Sequence, residues 1–324
     1  MVIIDRGGEV EIKGVSDFDL NGIFECGQCF RWDADENGVY TGVAFGRAAK
    51  LRRECGAVRE CNEVHEGSEG GAVRESGAVH EGSVVRERGV VGERGAVREC
   101  NEDGSVFISG TLNDFETIWR RYFDLDRDYT EIRRRLCVDD FMRQATAFGA
   151  GIRMLQQDRW EALCSFIISQ CNNIPRIKKI VAGLCRLFGD EFEFEGKTHY
   201  TFPSAGRLAP LSAVDLEPVR CGYRDEYIIG AARAVDSGSL DLDRLARLEP
   251  GEARAALKTL RGVGDKVADC TLLFGLNMLD AFPLDVWMKR AVAKHYGPEF
   301  DPVIFSPYAG IAQQYIFNYI RLQT

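Results

Sequence analysis

The stretch LKTLRGVGDKVADCTLLFG (residues 257–275) concentrates the chemically capable groups of this chain. A helical pattern runs to about Leu260, Gly262-Val263-Gly264 supplies a tight turn, and a second helix starts near Asp265. Two glycines permit positive φ and leave backbone N–H groups uncovered at a helix N-terminus. Such a turn is an anion site without sequence preference, suited to a DNA phosphate. On Gly-x-Gly alone, a plain αα-corner with a glycine cap is the favoured reading of the same residues. Lys266 falls in the first turn of the second helix, where the dipole opposes a cation; a partly desolvated amine there is a competent nucleophile. Its candidate partner is Asp285 in AFPLDVWMKR, an N-cap following Pro283. A helix over 265–276 rises roughly 16–18 Å, and the returning stretch 277–284 can cover that distance, so the two side chains can meet. Singly, Asp285 reads as a helix cap and Lys266 as a surface lysine. Together with the hairpin they make a far more specific signal.

These groups need a helical scaffold, and the chain supplies one from about residue 111. Asn113 with Glu116, and Asp128 with Glu131, have capping-box spacing ahead of apolar-periodic stretches. Asp158 precedes the stripe Trp160, Leu163, Cys164, Phe166 and Ile167. Further helical patterns cover 175–188, 225–236, 252–260, 265–276, 286–296 and 308–321, with no second set of strands among them. Upstream, VEIKG (10–14), FRW (30–32), VYTGVAF (39–45), AKLRR (49–53) and SVFISG (105–110) read as short strands separated by turns such as Asp35-Glu36-Asn37-Gly38. The expected fold is α+β: a small N-terminal antiparallel β-sheet domain (1–110), then an all-helical body (111–324) containing a helix–hairpin–helix motif.

Residues 54–103 stand apart. GAVRE or a near variant appears at 56–60, 71–75 and 95–99, and Leu, Ile, Phe, Trp, Tyr and Met are absent throughout. Such a segment cannot bury enough surface to offset the entropy of ordering, so it reads as a disordered insertion in a hairpin loop. It also carries six Arg against twelve acidic residues, which is most of the net charge of −9 over 324 residues. The rest of the chain is nearly neutral, so the global charge does not exclude a nucleic-acid partner. No apolar run approaches the roughly 18 residues of a membrane span. Asp5, Arg6, Glu9 and Glu11 sit where a signal peptide needs an apolar stretch. The odd count of 11 cysteines is that of reduced thiols in a cytosol. The expected setting is cytoplasmic and nucleoid-associated, or nuclear, and not secreted.

The chain resembles the helix–hairpin–helix DNA glycosylases, and within them the 8-oxoguanine glycosylase/AP-lyase branch. The resemblance covers 10–324 apart from the insertion. It rests on GQCFRW (27–32), YFDLD (122–126), SFIISQCNNIPRI (165–177), GYRDEY (222–227), LRGVGDKVADC (260–270), PLDVW (283–287) and AGIAQQYIF (309–317). The resemblance implies that Lys266 attacks C1′ of the damaged nucleotide and that Asp285 stabilises the positive sugar and assists proton transfer. It implies that Gly27 presents its carbonyl to the N7–H that 8-oxoguanine has and guanine lacks. It further implies that Cys270 and Phe317 sandwich the flipped base while Gln313 reads its Watson–Crick edge. Asn172, Arg176, Tyr223 and Arg224 would fill the gap in the duplex and contact the unpaired cytosine; Gly262, Val263 and Gly264 would hold a phosphate. The implied partner is duplex DNA with 8-oxoguanine opposite cytosine, bound by a monomer.

Two positions depart from the family pattern: Cys171 replaces the first of three consecutive Asn, and Trp287 replaces a His. Preference for cytosine is therefore expected to be graded, carried more by Arg224 than by Asn172. No cofactor is expected beyond a loosely bound cation at the hairpin. No cysteine follows Cys270, so the four-Cys iron–sulfur site of the endonuclease III branch is missing, and Cys26-x-x-Cys29 lacks a second pair for zinc. The alternatives are a non-catalytic helix–hairpin–helix DNA-binding protein, which leaves Lys266, Asp285 and Gln313 unexplained, or a glycosylase for another damaged base.

Overall fold

The computed structural model describes residues 1–54 and 104–322. Short alternating segments pair into one antiparallel sheet of β1 (Val2–Asp5), β2 (Glu9–Lys13), β3 (Trp32–Ala34), β4 (Tyr40–Ala44), β5 (Arg47–Glu54) and β6 (Ser105–Ser109), in the order β1-β2-β6-β5-β4-β3. Apart from Glu54, the repeat segment lies outside the described residues. Its flanks do pair, Glu54 opposite Ser105, so the insertion interrupts a β-hairpin as the sequence suggests. β1 was not expected; the VIID run pairs with β2 across a turn that holds Gly7 and Gly8 at positive φ.

One face of the sheet packs on α1 (Leu20–Glu25) and on the segment that follows β6. Phe24 stacks on Trp32 at 4.5 Å between centroids, Trp119 meets Trp32 edge-on at 5.9 Å, and the Trp32 indole N–H donates to the Tyr122 hydroxyl at 2.8 Å. Each such ring contributes on the order of 1.5–3 kcal/mol by burial. Because Phe115, Trp119, Tyr122, Phe123 and Leu125 belong to this core, packing carries the N-terminal unit past the boundary at 110 that element type alone suggests. The cap of that segment is also corrected. Thr111, not Asn113, accepts from the Asp114 N–H at 3.0 Å, because the helix begins two residues earlier.

The remainder is helical: α2 (Tyr129–Leu136), α3 (Asp140–Phe148), α4 (Arg159–Ile168), α5 (Ile174–Phe188), α6 (Arg224–Asp236), α7 (Pro250–Leu257), α8 (Asp265–Cys270), α9 (Val286–His295) and α10 (Ala309–Leu322), with shorter turns between. Asp128 and Asp158 cap α2 and α4 as the spacing predicts. The helix expected over 252–260 stops at Leu257, and that over 265–276 passes into a π turn at Thr271–Gly275. The expectation of an all-helical body without strands is overturned by a second hairpin, β7 (Glu191–Phe194) with β8 (Lys197–Tyr200). Its signal was present: EFEF alternates, and Glu195 and Gly196 both take positive φ in a two-residue turn.

Sheet and body are joined by buried polar contacts that also brace the site. Arg153 donates to the carbonyls of Asp17, Ser16 and Asp124, each at 2.8 Å. Lys178 of α5 donates to the Trp32 carbonyl at 2.8 Å and pairs with Glu25 and Asp33. Cys26 and Cys29 fall in different apolar cores, Cys26 in that of the body and Cys29 in that of the sheet, and both act as core side chains. No helix among the described residues is long and apolar enough to cross a membrane.

Candidate active site

The hairpin between α7 and α8 forms because only glycine fits its first turn position. Gly262 has φ +84°, and a Cβ there would fall 2.3 Å from the Tyr227 ring of α6. Val263 is buried, and Gly264 is the N-cap of α8 with no side chain satisfying the first amides. Those N–H groups therefore open outward from a fixed turn. Behind them, Asp269 pairs with Arg254 at 2.5 Å, tying α8 to α7; burial still pushes its carboxyl up to about 6.

One turn into α8, the Lys266 amine donates to the Ser169 hydroxyl at 2.8 Å and lies 5.4 Å from the centre of the Phe166 ring. Cys270, one turn further along the same helix face, is buried, and desolvation pushes its thiol up to about 11. Lys266 opposes that shift and Asp285 reinforces it. Lys266 and Asp285 thus both lie near the Cys270 side chain. Asp285 is the N-cap of α9: one oxygen accepts from the Met288 N–H at 2.8 Å. Leu284, Val286 and Trp287 beside it are exposed. Trp287 opens onto a cavity of about 720 Å³ shared with Phe141, Arg290, Lys294 and Tyr319.

Gly27 sits at the junction of sheet and body with φ +83°, and a Cβ added to it would meet Ile174 at 3.3 Å and Phe317 at 3.5 Å. The carbonyls on either side are occupied: Gln314 Nε2 donates to Cys26 at 2.8 Å and Gln157 Nε2 to Gln28 at 2.6 Å. The Gln28 side chain, fully buried, bonds the carbonyls of Ile23 and Arg153 and the N–H of Leu155. Among the described residues the Gly27 carbonyl itself has no donor. On α10, Gln313 is 5% exposed, yet its Oε1 is buried without a hydrogen-bond partner, and Phe317 is half-buried one turn on. A buried, unpaired amide oxygen costs on the order of 1–3 kcal/mol, so this acceptor is available to a donor that enters the site.

The turn from α4 into α5 carries Cys171 at φ +47°, Asn172 and the α5 N-cap Asn173. Asn172 Nδ2 donates to the Ile168 carbonyl at 3.2 Å and its oxygen accepts from the Asn173 N–H at 3.1 Å, so much of its polar capacity is used within the turn. Arg176 is exposed, and Tyr223 is 55% exposed at the start of α6. Arg224 is a correction to the expected free donor fork. It is 4% exposed and donates to the carbonyls of Gln170, Cys171 (3.4 Å) and Cys221 (3.0 Å). The physical reason is local: the guanidinium supplies donors to three carbonyls that follow α4 or precede α6, that of Cys221 among them buried. The guanidinium lies 4.4 Å from the Tyr223 ring centre, holding that ring at the surface.

The family "8-oxoguanine DNA glycosylase, N-terminal domain" matches residues 12–163. The structure of MBOgg1 in complex with a low-affinity DNA ligand superposes with a TM-score of 0.80 and 37% identity over 99% of this chain and 98% of that one. The chain belongs to the 8-oxoguanine DNA glycosylases of the helix–hairpin–helix superfamily. A Clostridium acetobutylicum 8-oxoguanine glycosylase/lyase, bound to duplex DNA with cytosine opposite 8-oxoG, also superposes at 0.80, with 31% identity over 100% of this chain and 98% of that one. The Arabidopsis thaliana N-glycosylase/DNA lyase OGG1 is 33% identical over 56% of this chain. The chain spans 53% of that relative's length.

Within the family frame, Ser169, Gln28 and Gln314 are residues that sequence reasoning passed over. Each lies inside a quoted motif, but a Ser at a helix end or a buried Gln carries no pattern of its own. Their contacts span 97, 125 and 288 residues of chain, so only the fold reveals them.

Proposed function

We propose that the protein removes 8-oxoguanine from duplex DNA and then cleaves the strand at the vacated sugar. The observation that carries this is the pair of acceptors without a donor among the described residues, the Gly27 carbonyl and the buried Gln313 Oε1, in a chain whose α8 also presents an amine held by Ser169. Guanine offers the Gly27 carbonyl a lone pair at N7, whereas 8-oxoguanine offers a donor; the mismatch is worth roughly 1–3 kcal/mol. Gln313 oxygen would accept from a donor on the Watson–Crick edge. The Lys266 amine attacks C1′, the C1′–N9 bond breaks with its electron pair leaving on the base, and the base gains a proton while the amine loses one. Asp285 stabilises the cationic sugar at this stage. Ring opening gives an imine, after which loss of a C2′ proton expels the 3′ phosphate. The uncapped amides that follow Gly264 would hold a backbone phosphate, and exposed Tyr223 would wedge into the gap left by the flipped base.

The test is borohydride trapping on a duplex with 8-oxoguanine opposite cytosine. Wild type should give a covalent adduct and a cut strand. Lys266→Gln should give neither, with excision slowed at least about a thousandfold and lesion binding retained. An adduct with Lys266→Gln would identify another amine as the nucleophile. A wild type that binds without excising would leave a DNA-binding module.

A further inference from the structure

We propose that Ser169 is a positioning residue for the Lys266 nucleophile, set in place by Arg224 through the turn that follows α4. The inference rests on Lys266 being the attacking amine. Ser169 is the C-cap of α4 and donates its own proton to the Phe166 carbonyl at 2.7 Å, which leaves the oxygen lone pairs as acceptors. Lys266 meets those lone pairs at 2.8 Å. A lysine has four rotatable side-chain bonds, and this contact, with the Phe166 ring, restricts the amine to one direction; aligned attack depends on such restriction. The next residue, Gln170, gives its carbonyl to both Nε and Nη2 of buried Arg224, and the chain then turns through Cys171 at positive φ. Ser169 is therefore followed directly by two residues whose carbonyls Arg224 holds. The turn that carries Asn172 and leads to Arg176 is continuous in the chain with the group that orients the nucleophile. Arg224 thereby affects excision through the protein rather than through a base contact.

Single-turnover excision by the full chain on 8-oxoguanine opposite cytosine tests this, with duplex binding and thermal unfolding measured in parallel. Ser169→Ala should slow excision roughly ten- to a hundredfold while Kd for the lesion duplex changes less than about twofold. Ser169→Thr, which keeps the oxygen, should recover most of the rate. A Ser169→Ala enzyme as fast as wild type overturns the proposal, as does a Thr variant as slow as Ala. If Ser169→Ala loses cooperative unfolding, Ser169→Cys replaces it: sulfur is a poor acceptor of similar size, and an undiminished rate there is equally fatal. Arg224→Lys should slow excision too, and combining it with Ser169→Ala should add little; independent, multiplicative losses would break the link between the two residues. A wild type inactive on the duplex would refute the proposed function instead, so the two failures are distinguishable.

Discussion

The cations of the six-stranded sheet and those around Lys266 are arranged in opposite ways. On the sheet, Arg6 and Lys13 pair with Glu11, Arg52 with Glu9, and Lys50 with Glu195 of the β7–β8 hairpin. On α5 and α9, Arg176, Lys179, Lys289, Arg290 and Lys294 have no carboxylate within ion-pair distance among the described residues, although the chain as a whole is at −9. Cations without a carboxylate partner on two helices, and paired ones on the sheet, mean that charge is unevenly distributed within an acidic protein. The local field, not the sum, decides whether a phosphate backbone can approach. Arginines make the same contrast inside the site: Arg176 is exposed and uncommitted, whereas Arg224 is spent on protein carbonyls.

That contrast can be broken most sharply at the arginines. After the loss of excision in Lys266→Gln, the largest effect expected is on stability, from Arg224→Ala. Removing a buried guanidinium that holds three carbonyls should cost about 2–4 kcal/mol, against less than about 0.5 kcal/mol for Arg176→Ala. Chemical denaturation of the two variants measures this, and equal costs would mean that Arg224 is not the clamp described. Gln313→Ala should separate function from stability in the other direction. Excision should fall about ten- to a hundredfold, while the midpoint of unfolding stays level or rises, because a buried unpaired acceptor has been removed. A clear loss of stability would instead indicate a partner for Gln313 within the protein.

Smaller effects sharpen the electrostatic comparison. Arg176→Ala and Arg290→Ala should each flatten the dependence of log Kd on log salt by about 0.9 if each neutralises one phosphate, whereas Arg52→Ala on the sheet should leave the slope unchanged. Fluorescence anisotropy at several salt concentrations decides this, and equal slopes for all three would remove the distinction between the faces. Least of all should happen on replacing 55–103 with a short turn. Glu54 and Ser105 already pair, so excision should stay within about twofold, and each halving of the loop should favour folding by about 0.6 kcal/mol. Loss of cooperative unfolding in that variant would show that the repeat contributes to the core.

Much of the machinery was legible because it is local. Glycine at 262, the Asp285 cap and the Lys266–Cys270 spacing on one helix face are set by backbone geometry within a few residues, and the order of strands then helices follows from periodicity. Even the β7–β8 hairpin, overlooked among helical patterns, had its alternation and turn residues in view. What residue types alone could not decide is which donors and acceptors are used up. Arg224 looks identical in sequence whether it faces cytosine or clamps Gln170, and Gln313 identical whether satisfied or orphaned. Those states depend on partners 54 residues away for Arg224, or on the absence of any for Gln313. A hydrogen-bonding group's availability is a property of its neighbours in space, so the tertiary structure alone decided which side chains remain free to meet a base and which hold the protein in shape to do so.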